Sequence, residues 1–259
     1  MEISLAAETV FHIGDFPVTN SVLTAWVVIV VLVVLGLITR RAHLIPKGVQ
    51  NIAEYIIESL YNLVKNIIPD ERIARGLFPL LGVFFVYILL GSWIGLLPGM
   101  GSVGLWEMKN GHEVLVPLFR APMADLNTAI ALALISITVT TAVGVAIIGP
   151  IEYTKKFLRL SSPLDFAVGI LEAISEASRL ISFSFRLFGN IFAGEVLISV
   201  MTYLIPYVLP MPFYAFELFV GFIQAFVFTA LTTVFVSLAM QKHEHDSNEH
   251  TSKVKTVHG

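Results

Sequence analysis

Residues 22–39 run for eighteen positions without a charged side chain, in a near-continuous series of Val, Leu and Ile. As a helix rising 1.5 Å per residue, the run reaches about 27 Å, close to the ~30 Å hydrocarbon core of a bilayer. Its β-branched content would suit a strand, but its length favours a membrane helix. Four further apolar segments follow, at 77–97, 126–149, 163–201 and 213–240. With 56% apolar and 14% charged residues and a mean hydropathy of +0.82, the chain reads as a polytopic membrane protein rather than a soluble domain. The expectation is an all-α integral membrane protein with five membrane helices. Residues 1–241 would form one membrane domain and 242–259 a polar tail.

The intervening segments differ in kind. Residues 1–21 are polar and mildly acidic, with no basic region before the first apolar run, so no removable signal peptide is expected. In residues 48–68, Ile52, Ile56, Leu60, Leu63 and Ile67 recur at threes and fours, with Glu54, Glu58, Asn62 and Lys65 elsewhere around the helix. This predicts an amphipathic helix lying at the interface, ended by Pro69-Asp70-Glu71-Arg72. Residues 98–124 read as a Gly/Pro-rich loop and 150–162 as a short basic loop. Pro206, Pro210 and Pro212 break the chain before the last helix.

Lys and Arg counts orient the chain. Residues 40–76 carry six, 150–162 three and the tail three, against two (Lys109, Arg120) on the other side. The positive-inside rule then puts the N-terminus outside and the C-terminus in the cytoplasm. A net charge of −3 without a basic, aromatic-interleaved patch argues against nucleic-acid binding. The absence of cysteine excludes disulfides and thiolate metal sites. No internal repeat and no Gly-rich phosphate loop is present.

The fourth apolar segment breaks the pattern. It contains Arg186, Asn190 and Glu195 at bilayer depth. A charge there costs about 2.5 kcal/mol on insertion scales and about 10 kcal/mol or more in simulations. On a helix, Glu172, Glu176, Arg179, Phe183, Arg186 and Asn190 share one stripe. Glu195, nine residues past Arg186, points roughly the opposite way, about 13 Å along the axis. The two charges are therefore not a local ion pair. Arg stays protonated at any working pH, whereas Glu exchanges a proton. That layout suits a proton path interrupted by a fixed cation. In the last helix, Glu217 and Gln224 are seven residues apart and share a face.

The run Arg186-Leu187-Phe188-Gly189-Asn190 with Ala193-Gly194-Glu195 resembles the signature of the a subunit of rotary (F-type) ATP synthases, the membrane stator beside the c-subunit ring. Ala124-Asp125-Leu126-Asn127-Thr128 and Gln224-Ala225-Phe226-Val227-Phe228 extend the resemblance over nearly the whole chain. The resemblance implies a tilted hairpin of the last two helices against the rotor ring, and two offset half-channels that pass protons to and from its carboxylates. The outer one would use Glu195, Glu217, Asn190 and Gln224, with Asp125 and His112 as further candidates. The inner one would use Glu172, Ser175, Glu176 and Ser182. Arg186 would stand between them, stabilising an ionised ring carboxylate and blocking leakage. Implied partners are the c ring, peripheral-stalk b subunits and the lipid of a bacterial plasma (inner) membrane. No cofactor, metal or nucleotide site is implied; the chain would be a non-nucleotide-binding part of the synthase.

Plainer roles compete for several residues. Asp125 suits an N-cap for the third span, and Glu172 and Glu176 suit a helix N-terminus. His112 suits an ordinary loop, and His243, His245 and His250 a solvated tail. Two other functions remain open at this level. A self-contained cation/proton antiporter or channel predicts transport by the chain alone. A structural anchor predicts that neutralising Arg186 leaves function intact.

Overall fold

The computed structural model describes residues 7–39, 49–97, 100, 103–109, 112–155, 163–206 and 208–240. The tail, with His243, His245 and His250, lies outside them, as do Arg40, Arg41, Lys47, Lys156, Arg159 and the side chain of His112. A strand pair, β1 (Thr9–Ile13) and β2 (Phe16–Thr19), precedes α1 (Asn20–Thr39), α2 (Val49–Ile67) and α3 (Glu71–Gly95). A second pair, β3 (Gly104–Lys109) and β4 (His112–Pro117), leads through a 3-10 turn at Pro122–Ala124 into α4 (Leu126–Ile148). Then come α5 (Pro150–Lys155), α6 (Pro163–Leu204) and α7 (Pro210–Met240). Five helices, α1, α3, α4, α6 and α7, are long and apolar enough to cross a membrane. The architecture is that of an all-α integral membrane protein.

The structure corrects several boundaries. The second span starts at Glu71, not 77, because Asp70 caps it: its carboxylate accepts from the Arg72 and Ile73 amides at 2.8 and 3.3 Å. Pro79 lies inside this helix. The last helix starts at Pro210; Pro210 and Pro212 sit in its first turn, where a missing N–H leaves no carbonyl unpaired. The polar N-terminal segment and the 98–124 loop each contain an antiparallel hairpin, and part of the basic loop forms α5. In the first hairpin Ile13 faces Phe16 across Gly14-Asp15, and Gly14 has φ +64°, which glycine adopts without strain. The buried positions here are Leu60 and Val64 of α2 and Ile68 just past its end, while Ile56 is exposed. Apolar pairs at 56–57, 63–64 and 67–68 leave periodicity unable to fix the rotation of this helix.

The core joins α3, α4, α6 and α7, with the α2 stripe packed on it. Phe84, Phe85 and Ile88 of α3 meet Leu132 and Ala133 of α4, Phe183, Leu187 and Ile191 of α6, and Ala225, Phe228 and Val236 of α7. Small hydroxyls let the helices approach closely: Ser136 of α4 and Thr232 of α7 share a hydrogen bond of 2.9 Å, and Ser237 donates to the Ile67 carbonyl at 2.9 Å. The α6 helix has 42 residues and α7 has 31. At 1.5 Å per residue these measure about 63 and 46 Å. Neither fits a ~30 Å core along its normal, so both must tilt or project. They pack antiparallel, with Arg179 and Phe183 against Phe235, Phe183 against Phe228, and Asn190 against Gln224.

Candidate functional site

The polar stripe expected on α6 lies along its border with α7. Arg179 Nη1 bonds Glu176 Oε1 at 3.4 Å, and its guanidinium carbon lies 3.9 Å from the Phe235 ring centroid. The ion pair is intrahelical at i,i+3, and the aromatic face supplies a second favourable surface. Phe183 is buried against Phe228 and Phe235. Asn190 Nδ2 donates to Gln224 Oε1 at 2.7 Å, tying the hairpin together. Gln224 is 3% exposed, so this bond is what satisfies its carbonyl oxygen.

Arg186 stands between Phe183 and Asn190 and is held differently. Its Nη2 donates to Ser182 Oγ, one turn earlier, at 3.1 Å. Among the described residues it forms no ion pair. It sits at the twenty-fourth of 42 positions in α6, so its charge falls near mid-helix. The neighbouring Gly189 has nothing within 4 Å of where a Cβ would stand, so the surface beside the guanidinium is open.

Glu195 takes another direction, as its nine-residue offset from Arg186 predicts. Arg120 Nε donates to its Oε2 at 3.3 Å. Glu217 is 4% exposed, and its carboxylate presses against Gly194, the residue before Glu195. A side chain at 194 would occupy the carboxylate's place, which explains a glycine there. Among the described residues, Glu217 Oε1 is buried without a hydrogen bond. The second half of α6 and the first half of α7, with Arg120 from the segment before α4, thus bring together two carboxyl groups, one arginine and an Asn–Gln bridge.

A family model described as ATP synthase A chain matches residues 22–237. This chain belongs to the ATP synthase A chain family. It is 30% identical to ATP synthase subunit a of Moorella thermoacetica over 235 residues, covering 90% of this chain and 96% of that protein. It is 34% identical to ATP synthase subunit a of Gloeobacter violaceus over 226 residues, covering 87% and 85%. The Campylobacter jejuni subunit a is 32% identical over 230 residues, covering 88% and 87%.

Within this family member, the structure sorts the sequence candidates. Asn190 and Gln224 join, and Glu217 comes to Gly194 beside Glu195. Asp125 caps α4 by accepting from the Asn127 amide at 3.0 Å, and its other oxygen accepts from Ser21 Oγ at 2.8 Å. Ser182 meets Arg186. Glu176 pairs with Arg179, while Ser175 is exposed and Glu172 half-buried on the first half of α6. The residue that sequence reasoning missed is Arg120. It was counted among loop charges, although Leu118-Phe119 and Ala121-Pro122-Met123-Ala124 surround it with apolar residues. A lone cation in an apolar stretch beside Asp125 was the available signal.

Proposed function

We propose that this chain is the ion-translocating stator of a rotary ATP synthase, moving protons to and from the carboxylates of a c-subunit ring. The observation that carries the proposal is Arg186: a permanent cation near the middle of a membrane helix, beside an open surface, paired with no carboxylate among the described residues. A cation at that depth is costly unless an anion meets it. A carboxylate carried past on a neighbouring ring supplies one transiently. It is held ionised only while it faces Arg186, and it must be neutral to move through lipid.

The family reading then assigns the two routes. Glu195, Glu217, Asn190 and Gln224, with Asp125 at the edge, form the outer half-channel. Glu172, Ser175, Glu176 and Ser182 form the inner one. Arg186 separates them. Lys and Arg placement supports an outside N-terminus and a cytoplasmic C-terminus in a bacterial plasma membrane, with the b subunits of the peripheral stalk as the other partners.

The test is ATP-driven acidification of inverted vesicles carrying Arg186→Ala, with the assembled complex verified by co-purification. Pumping is expected to fall to background with assembly intact. Normal pumping by the assembled variant would contradict the proposal.

A further inference from the structure

Arg120 lies on a short segment, residues 117–125, that no membrane helix contains. Arg120 is 8% exposed, and Ala121, Pro122, Met123, Ala124 and Asp125 are all buried. A guanidinium so placed is costly without a counter-charge. Glu195 supplies it, and the Phe192 ring lies 5.9 Å from the guanidinium carbon.

The segment itself is held at three points by the first two turns of α1. Asn20 Nδ2 donates to the Pro117 carbonyl at 3.2 Å. The Arg120 amide donates to Thr24 Oγ1 at 3.1 Å. Ser21 Oγ donates to Asp125 Oδ2. Asn20, Ser21 and Thr24 are at most 1% exposed, although most of α1 beyond them is open. From the other side, a Cβ on Gly95 of α3 would come 2.5 Å from the Ala121 Cβ, so the backbones are already in contact. The backbone of the segment is tied to α1 and abuts α3, while its guanidinium reaches Glu195 and Phe192 of α6.

We propose that Arg120 is the positioning residue for Glu195: a fixed cation, on a segment latched by α1, that holds this carboxylate in place within the ion path. The proposal rests on the stator reading above. Its chemistry is asymmetric. Arg120 cannot release its proton, so the exchanging member of the pair is Glu195. Among the described residues, Asp125 lies on the same segment and Glu217 of α7 lies across Gly194. The α1 and α4 helices contribute none. The inference also gives α1 a task besides spanning the bilayer: its polar first turns set where the ion path begins.

The experiment measures ATP-driven acidification of inverted vesicles for Arg120→Met, Arg120→Lys and Arg186→Ala, with co-purification of the complex for each. A hydrogen bond to a charged group is worth about 1.5–3 kcal/mol, so Arg120→Met is expected to slow pumping about 10- to 100-fold in an assembled complex. Arg120→Lys keeps the charge and is expected to retain most of the rate. Arg120→Met added to Glu195→Gln is expected to slow it no further, because the two residues act as a unit. Unchanged pumping by Arg120→Met, equal damage from Arg120→Lys, or additive losses would overturn the inference. If Arg120→Met prevents assembly, Thr24→Val decides. It removes the acceptor for the Arg120 amide, and its loss of rate is expected to vanish in the Glu195→Gln background; a loss that persists there overturns the inference. Normal pumping by Arg186→Ala would instead sink the stator reading. Loss with Arg186→Ala beside normal pumping with Arg120→Met would sink only the role of Arg120.

Discussion

Arg120 lies against α6 and Arg186 is part of it, and they are held in opposite ways. Arg120 is buried, its backbone is tied to α1, its side chain meets Glu195, and an aromatic ring lies beside it. Arg186 is half-buried, keeps one bond to a hydroxyl on its own helix, and faces open surface. Among the described residues, one positive charge meets a carboxylate and the other does not. An arginine compensated within its own fold serves that fold, whereas one left uncompensated at bilayer depth implies an anion supplied from elsewhere. The same division separates two glycines of α6. Gly194 is filled to contact by Glu217, and Gly189 borders empty space.

The largest effect that sharpens this contrast is expected at Gly194. A valine there displaces the Glu217 carboxylate, and overpacking of this kind costs about 1–3 kcal/mol. Gly194→Val is therefore expected to lower both the thermal stability of the complex and its pumping, by about tenfold or more for the latter. Gly189→Ala meets no atom of the described residues and should leave the stability of the subunit unchanged. Equal stability losses at both positions, in thermal inactivation of the purified complex, would erase the distinction between an inner and an outer side of α6.

A smaller effect is expected at Ser182. Its hydroxyl orients Arg186 but does not neutralise it, and one such bond contributes about 0.5–1.5 kcal/mol. Ser182→Ala should slow ATP-driven pumping only severalfold, much less than Arg186→Ala. Complete loss with an assembled complex would mean that the Ser182 hydroxyl is indispensable to the inner half-channel and does more than orient Arg186.

The membrane helices were legible because a spanning segment must be long, apolar and internally hydrogen-bonded, which leaves a local pattern. The stripe from Glu176 to Asn190 and the opposed direction of Glu195 followed from helical rotation alone. The hairpins were less visible, although Gly14 opens the two-residue turn of the first. The Arg120–Glu195 pair was not legible. Its members are 75 residues apart, and nothing periodic connects them. The same holds for Glu217 against Gly194, where a helix interior gives no reason for a glycine until the opposing carboxylate is placed. What the sequence lacked was contact between elements, and that contact organises the site.

The central claim is that the anion meeting Arg186 comes from outside this chain. The chain has no cysteine, so single cysteines report cleanly. They would be placed at Ala193, seven residues and two turns from Arg186 on the same side, and at Leu187, which is fully buried. Each would be paired with a cysteine beside the membrane carboxylate of the ring subunit and oxidised in native membranes. The account predicts a disulfide-linked product from Ala193 and none from Leu187. Equal yields from both, or no product from Ala193 in an assembled complex, would contradict it.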